Sequence, residues 1–308
     1  MENKNYPLVT IITVVYGQLE VTADMLESLM NITYPNIEVI VVDNASPNCN
    51  PKTLKDRFPS IDLIENRQNL GFAGANNIGI IKAKGKYVLL LNNDTIVDRG
   101  FLEPLVRKFE SNDHIGAVSP KIRFFSAPDT IQFAGMTTMN PYSISNQSIG
   151  YCAKDTGQYE NDQKTYFAHG AAMMVPMKVI KEVGLMSDIY FLYYEELDWG
   201  LRIRNAGYEI FYVHDSLIYH KESMTTGVMS PLKIYYLNRS RILYMRRNIH
   251  GSIFLVSLFY LMLISVPKNV LLRLVKGEFK LLSAYCKAIG WHIRNIFNSN
   301  VHSITRDI

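Results

Sequence analysis

The stretch that decides the fold is residues 86–98, KYVLLLNNDTIVD. Residues 87–91 are apolar and compatible with a β-strand, which is typical of a strand covered on both faces. Three polar residues follow at once, namely Asn92, Asn93 and Asp94. Ligands of an open α/β sheet bind beyond the carboxyl ends of its strands, so Asp94 is a candidate metal ligand. The alternative is an Asx turn that merely ends the strand.

Composition and charge limit the class of protein. The 308 residues are 48% hydrophobic and 19% charged, which allows a sizeable core and excludes wholesale disorder. The three cysteines form no CxxC pair, and residues 1–6 are short and polar, so we expect a cytoplasmic protein with reduced thiols and no signal peptide. Residues 239–294 hold ten Lys or Arg and one acid. This basic segment also carries the longest apolar run, so a membrane surface is favoured as partner over nucleic acid.

The first half of the chain reads as strand and helix in alternation. Residues 8–16 predict a buried strand, residues 19–30 a helix, and residues 37–42 a second strand that ends at Asp43. This spacing is typical of a right-handed βαβ unit with its polar ends on one edge. Asp43 at that edge can accept hydrogen bonds from a base or ribose, and the equal alternative is an N-cap.

A segment rich in small residues follows the third predicted strand. Residues 61–65 predict that strand, residues 66–77 read NRQNLGFAGANN, and residues 73–83 predict a helix. Small residues permit close backbone approach, and the helix N-terminus favours an anion. The first strand lacks GxGxxG, so a nicotinamide enzyme is disfavoured.

Residues 101–110 predict a helix and residues 116–120 a strand. Residues 123–164 have weak periodicity and predict an excursion over a cleft, where loops tend to carry specificity. Residues 167–176 predict a core strand with small residues that leave room for a ligand, and residues 177–183 a helix.

An acidic cluster follows an aromatic run. Glu195, Glu196 and Asp198 lie within four residues, and residues 198–205 predict a helix. On a helix Glu195 and Asp198 share a face, while Glu196 points elsewhere. One of these carboxylates can lie in the cleft with a raised pKa and act as a general base. The alternative is a solvated acidic first turn that complements the helix dipole.

A histidine ends the last predicted strands, over residues 208–213 and 217–220. A lone histidine after a strand is usually structural, but together with Asp94 His220 can complete a metal site.

Six segments carry a resemblance to a known family: TIITVVYG, VVDNAS, NLGFAGANNIG, LLLNNDT, FLYYEELDWGLR and YHKESMTTG. In order and spacing they resemble glycosyltransferase family 2, in its rhamnosyltransferase-like branch, over residues 7–247. The resemblance implies the α/β GT-A fold, a mixed sheet flanked by helices. It also implies a nucleotide-diphosphate-sugar donor, a divalent metal (Mg²⁺ or Mn²⁺) and inversion at the anomeric carbon.

The resemblance also implies roles for single residues. Tyr16 and Asp43 match the pair that holds the donor base, and Asn69 and Gly71 lie near the ribose and diphosphate. The implied donor-binding residues are Tyr16, Asp43, Asn69, Gly71, Asn76, Asn92 and Asn93.

The implied chemistry rests on two further motifs. Residues 92–94 match the DxD-type motif, with Asn92 in place of the first Asp, which leaves Asp94 as the carboxylate ligand of the metal. His220 matches a histidine that contacts metal or diphosphate. The Glu–Asp pair of the family falls on Glu195 and Glu196, which places the base at Glu196, with Glu195 as the alternative. Residues 155–159, DTGQY, favour deoxythymidine-diphosphate rhamnose as donor.

Two regions are predicted. Residues 1–238 form the catalytic domain, with a donor half over residues 1–98 and an acceptor half over residues 99–238. Residues 239–308 form a basic, apolar helical region. Its apolar run over residues 251–266 would make a helix of about 24 Å. A helix that spans a bilayer needs roughly 20 apolar residues, so this run is too short. We expect an interfacial anchor on the inner face of the cell membrane; the alternative is an appendage packed on the catalytic domain or another subunit, as in a homo-oligomer.

Two functions from different classes follow. The first is an inverting, metal-dependent glycosyltransferase that moves a sugar to a lipid-linked acceptor of a cell-surface polysaccharide. The second is a catalytically silent nucleotide-sugar-binding subunit that supports a partner transferase. The departures at Asn92 and Glu196 motivate the second function, and the intact Asp94 and His220 argue for the first.

Overall fold

A computed structural model describes residues 6–221 and 229–298. The strands are β1 (Val9–Val15), β2 (Ile37–Asp43), β3 (Asp62–Glu65), β4 (Tyr87–Leu91), β5 (Thr95–Val97), β6 (Ile115–Phe124), β7 (Ala127–Phe133), β8 (Gln163–Thr165), β9 (Ala172–Pro176) and β10 (Glu209–His220). The helices are α1 (Leu19–Met30), α2 (Lys52–Arg57), α3 (Gly71–Lys82), α4 (Leu102–Ser111), α5 (Met177–Val183), α6 (Glu195–Asn205), α7 (Pro231–Asn248), α8 (Gly251–Tyr260), α9 (Val266–Val275) and α10 (Phe279–Arg294). A 3₁₀ turn covers Asp188–Tyr190, and a π-helical turn covers Leu261–Ser265.

The strands form one mixed sheet in the order β3-β2-β1-β4-β9-β6-β10-β5. The first four strands in this order run parallel, so their carboxyl ends meet at one edge, as predicted. Strand β9 enters antiparallel between β4 and β6, and β10 runs parallel to β6. Two further strands extend the sheet, since β7 pairs with β6 and β8 with β10.

Helices cover both faces of the sheet, as the apolar sequence of β4 predicts. Leu89 and Leu91 pack with residues of α1 and α4, whereas Val88 and Leu90 pack with residues of α3, α5 and α6. All four side chains are buried, and alternate residues of a strand point to opposite faces. The fold is therefore the mixed α/β sheet flanked by helices that the sequence predicts.

Several predicted boundaries are wrong for local reasons. The strand predicted over residues 167–176 begins only at Ala172, because the chain bends at His169, whose carbonyl accepts the Ala172 N–H at 3.1 Å. The two short strands predicted before His220 are one strand, β10, because a register shift between Val213 and Leu217 absorbs the irregular residues. The excursion over residues 123–164 contains strand β7, which pairs back onto β6.

The C-terminal region differs most from the prediction. The boundary predicted at residue 238 falls inside α7, which is one continuous helix over Pro231–Asn248. The apolar helix is longer than predicted, because it continues from Gly251 through the π-helical turn to Val275. Pro267 does not end it, since this proline lies in the first turn of α9, where its missing N–H is tolerated. The 25 residues make a helix of about 37 Å, long and apolar enough to cross a membrane by length and composition.

The first residues of helix α3 contact Phe191, which is distant in the sequence. Gly71 has φ +72°, and a Cβ at this position would lie 2.7 Å from the Phe191 Cα and overlap the Phe191 carbonyl oxygen. The Phe72 N–H donates to that same oxygen at 2.6 Å. The close approach at Gly71 is therefore to the protein's own backbone, whereas the family resemblance implies a position near the ribose and diphosphate.

The Gly71→Ala variant tests this contact. Its free energy of unfolding should fall by more than that of Gly17→Ala, a matched control with φ +69° and no atom within 4 Å of the added Cβ. The control loses only the left-handed backbone term of about 1–2 kcal/mol, whereas Gly71→Ala must also displace Phe191. Urea denaturation measures both; equal losses would show that the contact with Phe191 does not constrain the fold.

Candidate active site

Asp94 and His220 meet at the carboxyl edge of the sheet. Asp94 follows β4, and His220 is the last residue of β10, where the antiparallel register places it opposite Thr95 of β5. The His220 Nε2 atom lies 3.0 Å from Asp94 Oδ1, and both side chains are buried. The structure therefore brings together two residues that are 126 positions apart in the sequence.

The second ring nitrogen of His220 is held by Gln132 of β7. The Nδ1 atom lies 2.8 Å from Gln132 Oε1, and Gln132 is itself buried. If Nδ1 donates its proton to this oxygen, the neutral ring presents a lone pair at Nε2 to the Asp94 carboxylate. Two facing lone-pair donors are stabilised by a cation that both can hold, either a proton or a metal ion.

This donor set fits a divalent ion that is also bound by a substrate. Among residues 6–221 and 229–298, no group of three or more His, Cys, Asp or Glu side chains is placed to hold a metal. One carboxylate and one imidazole leave most coordination positions of Mg²⁺ or Mn²⁺ open. Diphosphate oxygens are suitable ligands for those positions, since Mg²⁺ is commonly held by one or two carboxylates plus substrate phosphates.

A second histidine connects this pair to the acidic cluster. The His169 ring lies 6.2 Å from the His220 ring, centroid to centroid, and its Nδ1 accepts the Ala171 N–H at 3.1 Å. Burial lowers the pKa of His169 to about 3, so the ring is neutral at physiological pH. At the next residue, Gly170, an added Cβ would lie 3.7 Å from the Glu196 carboxyl carbon. The segment 169–170 therefore has His220 near its first residue and Glu196 near its second.

The two glutamates occupy different environments. Glu195 is 3% exposed, and its Oε2 atom is buried without a hydrogen-bond partner in the described part of the chain. Burial raises the pKa of Glu195 well above its ordinary value, and the charge of Glu196 raises it further. Glu196 is partly exposed, and burial by the surrounding protein raises its pKa too, against the N–H groups of the first turn of α6 that lower it. Glu196 is therefore the carboxylate that a ligand can reach.

The segment before α6 has an unusual backbone. Phe191, Tyr193 and Tyr194 have φ values of 64°, 66° and 73°, a region that non-glycine residues rarely adopt. Each such residue costs roughly 1–3 kcal/mol and persists only where surrounding contacts hold it. Helix α7 supplies these contacts, since Ser240 Oγ donates to the Leu192 carbonyl at 2.9 Å and Arg239 Nη1 to the Tyr190 carbonyl at 2.9 Å.

Asp198 also stabilises this segment through hydrogen bonds. Its buried carboxylate accepts hydrogen bonds from four side chains of three elements, at 3.0–3.3 Å: Tyr190 Oη, Arg202 Nε, Arg247 Nε and Asn248 Nδ2. Arg247 and Asn248 end α7, so the C-terminal region is bonded directly to the helix that carries Glu196. The predicted shared face of Glu195 and Asp198 is thus a buried, structural face.

The residues predicted to bind the donor have contacts of their own. Tyr16 is 40% exposed at the end of β1. Both Asp43 carboxylate oxygens lie 3.3 Å from the Ser46 N–H, so Asp43 makes the turn contact that the alternative prediction describes. Asn93 Nδ2 donates to Thr22 Oγ1 at 3.0 Å, and the Asn92 N–H donates to the Ala171 carbonyl at 2.9 Å.

Two predicted donor-binding residues serve the packing of the loop. Asn69 Oδ1 accepts the Gly71 N–H at 2.8 Å and the Asn44 Nδ2–H at 2.9 Å. Asn76 is buried, and its side chain donates to the Phe72 carbonyl within α3. We therefore do not retain Asn76 in the donor site proposed below. The end of the last family-like segment, residues 222–227, lies outside the described residues.

Two residues of the site, His169 and Gln132, were not singled out from the sequence, and the structural role of Asp198 was not predicted. His169 has a sequence signal, since it stands among small residues in the segment FAHGAAMMVP. Gln132 has none, because it lies in an irregular strand within the predicted excursion. The role of Asp198 depends on Arg247 and Asn248, which are 49 and 50 residues further along the chain.

Comparison with known proteins agrees with this fold. In the solved mannosyltransferase PcManGT from Pyrobaculum calidifontis, described in complex with GDP-Man and Mn²⁺, the likeness covers 96% of this chain and 89% of that one, at a TM-score of 0.58 and 16% identity. The fold is the GT-A fold. The sequence model of glycosyl transferase family 2 matches residues 10–184, more than half of the chain. The chain therefore belongs to glycosyltransferase family 2, which confirms the resemblance.

Two curated relatives are similar over parts of their length. An uncharacterized glycosyltransferase of Haemophilus influenzae is 33% identical over 118 residues, which are 37% of this chain and 36% of that protein. The N-acetylglucosaminyl-diphospho-decaprenol L-rhamnosyltransferase of Mycobacterium tuberculosis is 23% identical over 222 residues, 66% of this chain and 72% of that enzyme.

Replacing Asp198 by Asn should destabilise the protein strongly. The change leaves two buried guanidinium groups, of Arg202 and Arg247, without their carboxylate, which typically costs 3–5 kcal/mol, that is, about half of the stability of an ordinary domain. Asp215→Asn is the control, because its ion pair with Arg107 is exposed and worth about 0–1 kcal/mol. Urea denaturation measures both variants. A loss of stability in Asp198→Asn as small as that of the control would contradict the structural role of Asp198.

Glu195 should make stability depend on pH. Its pKa is raised by folding, so its stabilising contribution is present below the unfolded pKa of about 4.3 and is lost as pH rises through the folded pKa. Glu195→Gln removes this loss, and the variant should gain stability relative to the wild type by about 1.4 kcal/mol for each pH unit between the unfolded and folded pKa. Urea midpoints from acidic to mildly alkaline pH measure the difference in stability between the variant and the wild type. The control Glu20→Gln changes a side chain that is 90% exposed, so its difference from the wild type should not depend on pH. A difference in stability that stays constant with pH for Glu195→Gln would contradict the raised pKa.

Proposed function

We propose that the protein is an inverting glycosyltransferase that moves a sugar from a nucleotide-diphosphate donor to a hydroxyl group of a growing polysaccharide. One observation carries the proposal. Asp94 and His220 lie in contact, and Glu196, whose pKa is raised by burial, lies against Gly170, the neighbour of the His169 ring beside His220. The pair suits a diphosphate with its divalent ion, and the carboxylate suits removal of a proton.

Glu196 is the proposed general base. Its carboxylate takes the proton of the acceptor hydroxyl while that oxygen attacks the anomeric carbon. The bond from the anomeric carbon to the diphosphate breaks on the opposite face, so the configuration inverts. A positioned base contributes about 10²- to 10⁴-fold in rate, and a pKa raised towards the working pH makes proton transfer more favourable.

Asp94 and His220 are the proposed ligands of Mg²⁺ or Mn²⁺. When bound there, the ion would neutralise charge that gathers on the leaving diphosphate. Tyr16 and Asp43 at the ends of β1 and β2 are the proposed contacts of the donor base, with Asn69, Gly71, Asn92 and Asn93 lining the same edge. Support comes from their common position at the carboxyl ends of parallel strands.

Rhamnose is the favoured sugar, and a lipid-linked saccharide is the favoured acceptor. The relative from Mycobacterium tuberculosis supports both, since its name states an L-rhamnosyl donor group and a diphospho-decaprenol acceptor. The segment DTGQY over residues 155–159 is a further motive for rhamnose. The buried carboxylate of Asp155 in this segment pairs with Lys121 and Arg123, so this side chain is engaged within the protein.

Release of nucleoside diphosphate from a panel of nucleotide sugars, with and without divalent metal, tests the proposal. Deoxythymidine-diphosphate rhamnose should be turned over with metal and a lipid-linked acceptor. Asp94→Ala should abolish release, and Glu196→Gln should lower it by at least about 10²-fold while donor binding persists. Glu182→Gln, an exposed change on α5, is the control. Donor binding without release from any sugar in the wild type would instead support the silent nucleotide-sugar-binding subunit.

A further inference from the structure

The helix formed by α8, the π-helical turn and α9, residues 251–275, is packed with its polar side inwards. Ser257 is fully buried and donates to the Pro141 carbonyl at 2.7 Å, Ser265 is buried and accepts from Arg241, and Arg273 is buried and pairs with Glu278. These three buried residues are the polar stripe of the helix. The polar stripe, with the buried Leu261 beside it, is the side that contacts the rest of the protein.

The outer side of the same helix is apolar. Phe259 is 65% exposed, Leu263 71%, Leu271 63% and Val275 78%. In the described part of the chain, most of the large apolar side chains that are exposed lie within residues 251–298, and those of the catalytic part are scattered. A soluble helix has the opposite arrangement, with apolar residues against the core and polar residues in water. Its outer side therefore needs an apolar surrounding.

Cations border this surface. Residues 251–298 hold six Lys or Arg and one acid, Glu278, which is already paired with Arg273. Lys268, Lys276 and Lys280 are exposed beside the apolar side chains. A symmetric dimer through this surface would place these cations near their own copies. Anionic lipid headgroups complement them instead, while the acyl chains cover the apolar side.

We propose that residues 251–298 form a membrane-docking surface that inserts into one leaflet of an anionic membrane without crossing it. The helix is long enough to span, but its inner stripe is fixed to Pro141 and Arg241 of the protein body. Spanning would pull these groups into the hydrocarbon, whereas a helix lying in the membrane plane keeps them on the aqueous side.

The surface lies one loop away from the proposed base. The loop around residues 141–144 is bonded on one side to Ser257 and on the other to Tyr194, whose hydroxyl donates to the Ile144 carbonyl at 2.9 Å. Tyr194 directly precedes Glu195 and Glu196. This inference rests on the proposed function only in one respect, that the docked surface presents Glu196 to a membrane-bound acceptor.

Sedimentation of the full chain with preformed vesicles tests the docking surface. The wild type should bind vesicles of phosphatidylglycerol and phosphatidylcholine more tightly than vesicles of phosphatidylcholine alone. The double variant Phe259→Gln with Leu263→Gln should bind at least about tenfold more weakly, because two exposed apolar side chains no longer enter the acyl region. The control is Met30→Gln with Ile81→Gln, two half-exposed apolar side chains on α1 and α3, which should bind as the wild type does.

Several results would overturn the proposal. These are a wild type that does not bind vesicles, equal binding by both double variants, or a concentration-dependent dimer of the wild type that the Phe259→Gln, Leu263→Gln variant loses. The last result would identify a second copy as the occupant of the surface. The Asp94→Ala variant should still bind vesicles, so a failure of the proposed catalysis can be told apart from a failure of docking.

Discussion

The register of β10 against β5 is the constraint on which the site depends. It sets His220 opposite Thr95, so that the imidazole lies beside the carboxylate that ends β4. A shift by one residue would turn His220 to the other face of the sheet and separate it from Asp94. Strand β10 is also bound along its other side by β6, in a parallel pairing that runs to the His220–Phe124 pair. The position of the proposed metal-binding pair is thus fixed by two neighbouring strands.

Asp198 plays the corresponding part beside Glu196. It joins the 3₁₀ turn, α6 and α7 through one buried carboxylate, and Arg239 and Ser240 of α7 hold the strained backbone in between. The C-terminal region is consequently part of the scaffold that orients Glu196. These are the contacts expected of an appendage packed on the catalytic domain, the alternative interpretation of its sequence.

The sequence predicts the parts of the fold that depend on local pattern. Helices α1 and α5 and strand β4 have the predicted bounds, and the bounds of β1 and β2 differ from the predicted ones by one residue at most at each end. Apolar periodicity and flanking turns define these elements. Residues Asp94 and His220 could be paired on chemical grounds, and their contact is observed. The strand β7 that supplies Gln132, the contact of Phe191 with Gly71 and the partners of Asp198 depend on long-range packing. No local pattern reports such packing, so these features could not be predicted.

The continuous helix over residues 251–275 was missed for a different reason. Pro267 is usually a sign that a helix ends, and here the π-helical turn before it places the proline in the first turn of a new helical segment. The inward position of the polar stripe could not be predicted either, because the sequence does not show which side of the helix packs on the protein.

Separate roles are proposed for Asp94 and Glu196, and binding of Mn²⁺ tests this proposal most directly. Electron paramagnetic resonance of free Mn²⁺ would be measured with the wild type, Asp94→Ala and Glu196→Gln, each with and without nucleoside diphosphate. We predict that nucleoside diphosphate strengthens Mn²⁺ binding to the wild type and Glu196→Gln alike, and that Asp94→Ala loses this binding. Undiminished binding by Asp94→Ala, or its loss only in Glu196→Gln, would contradict the account.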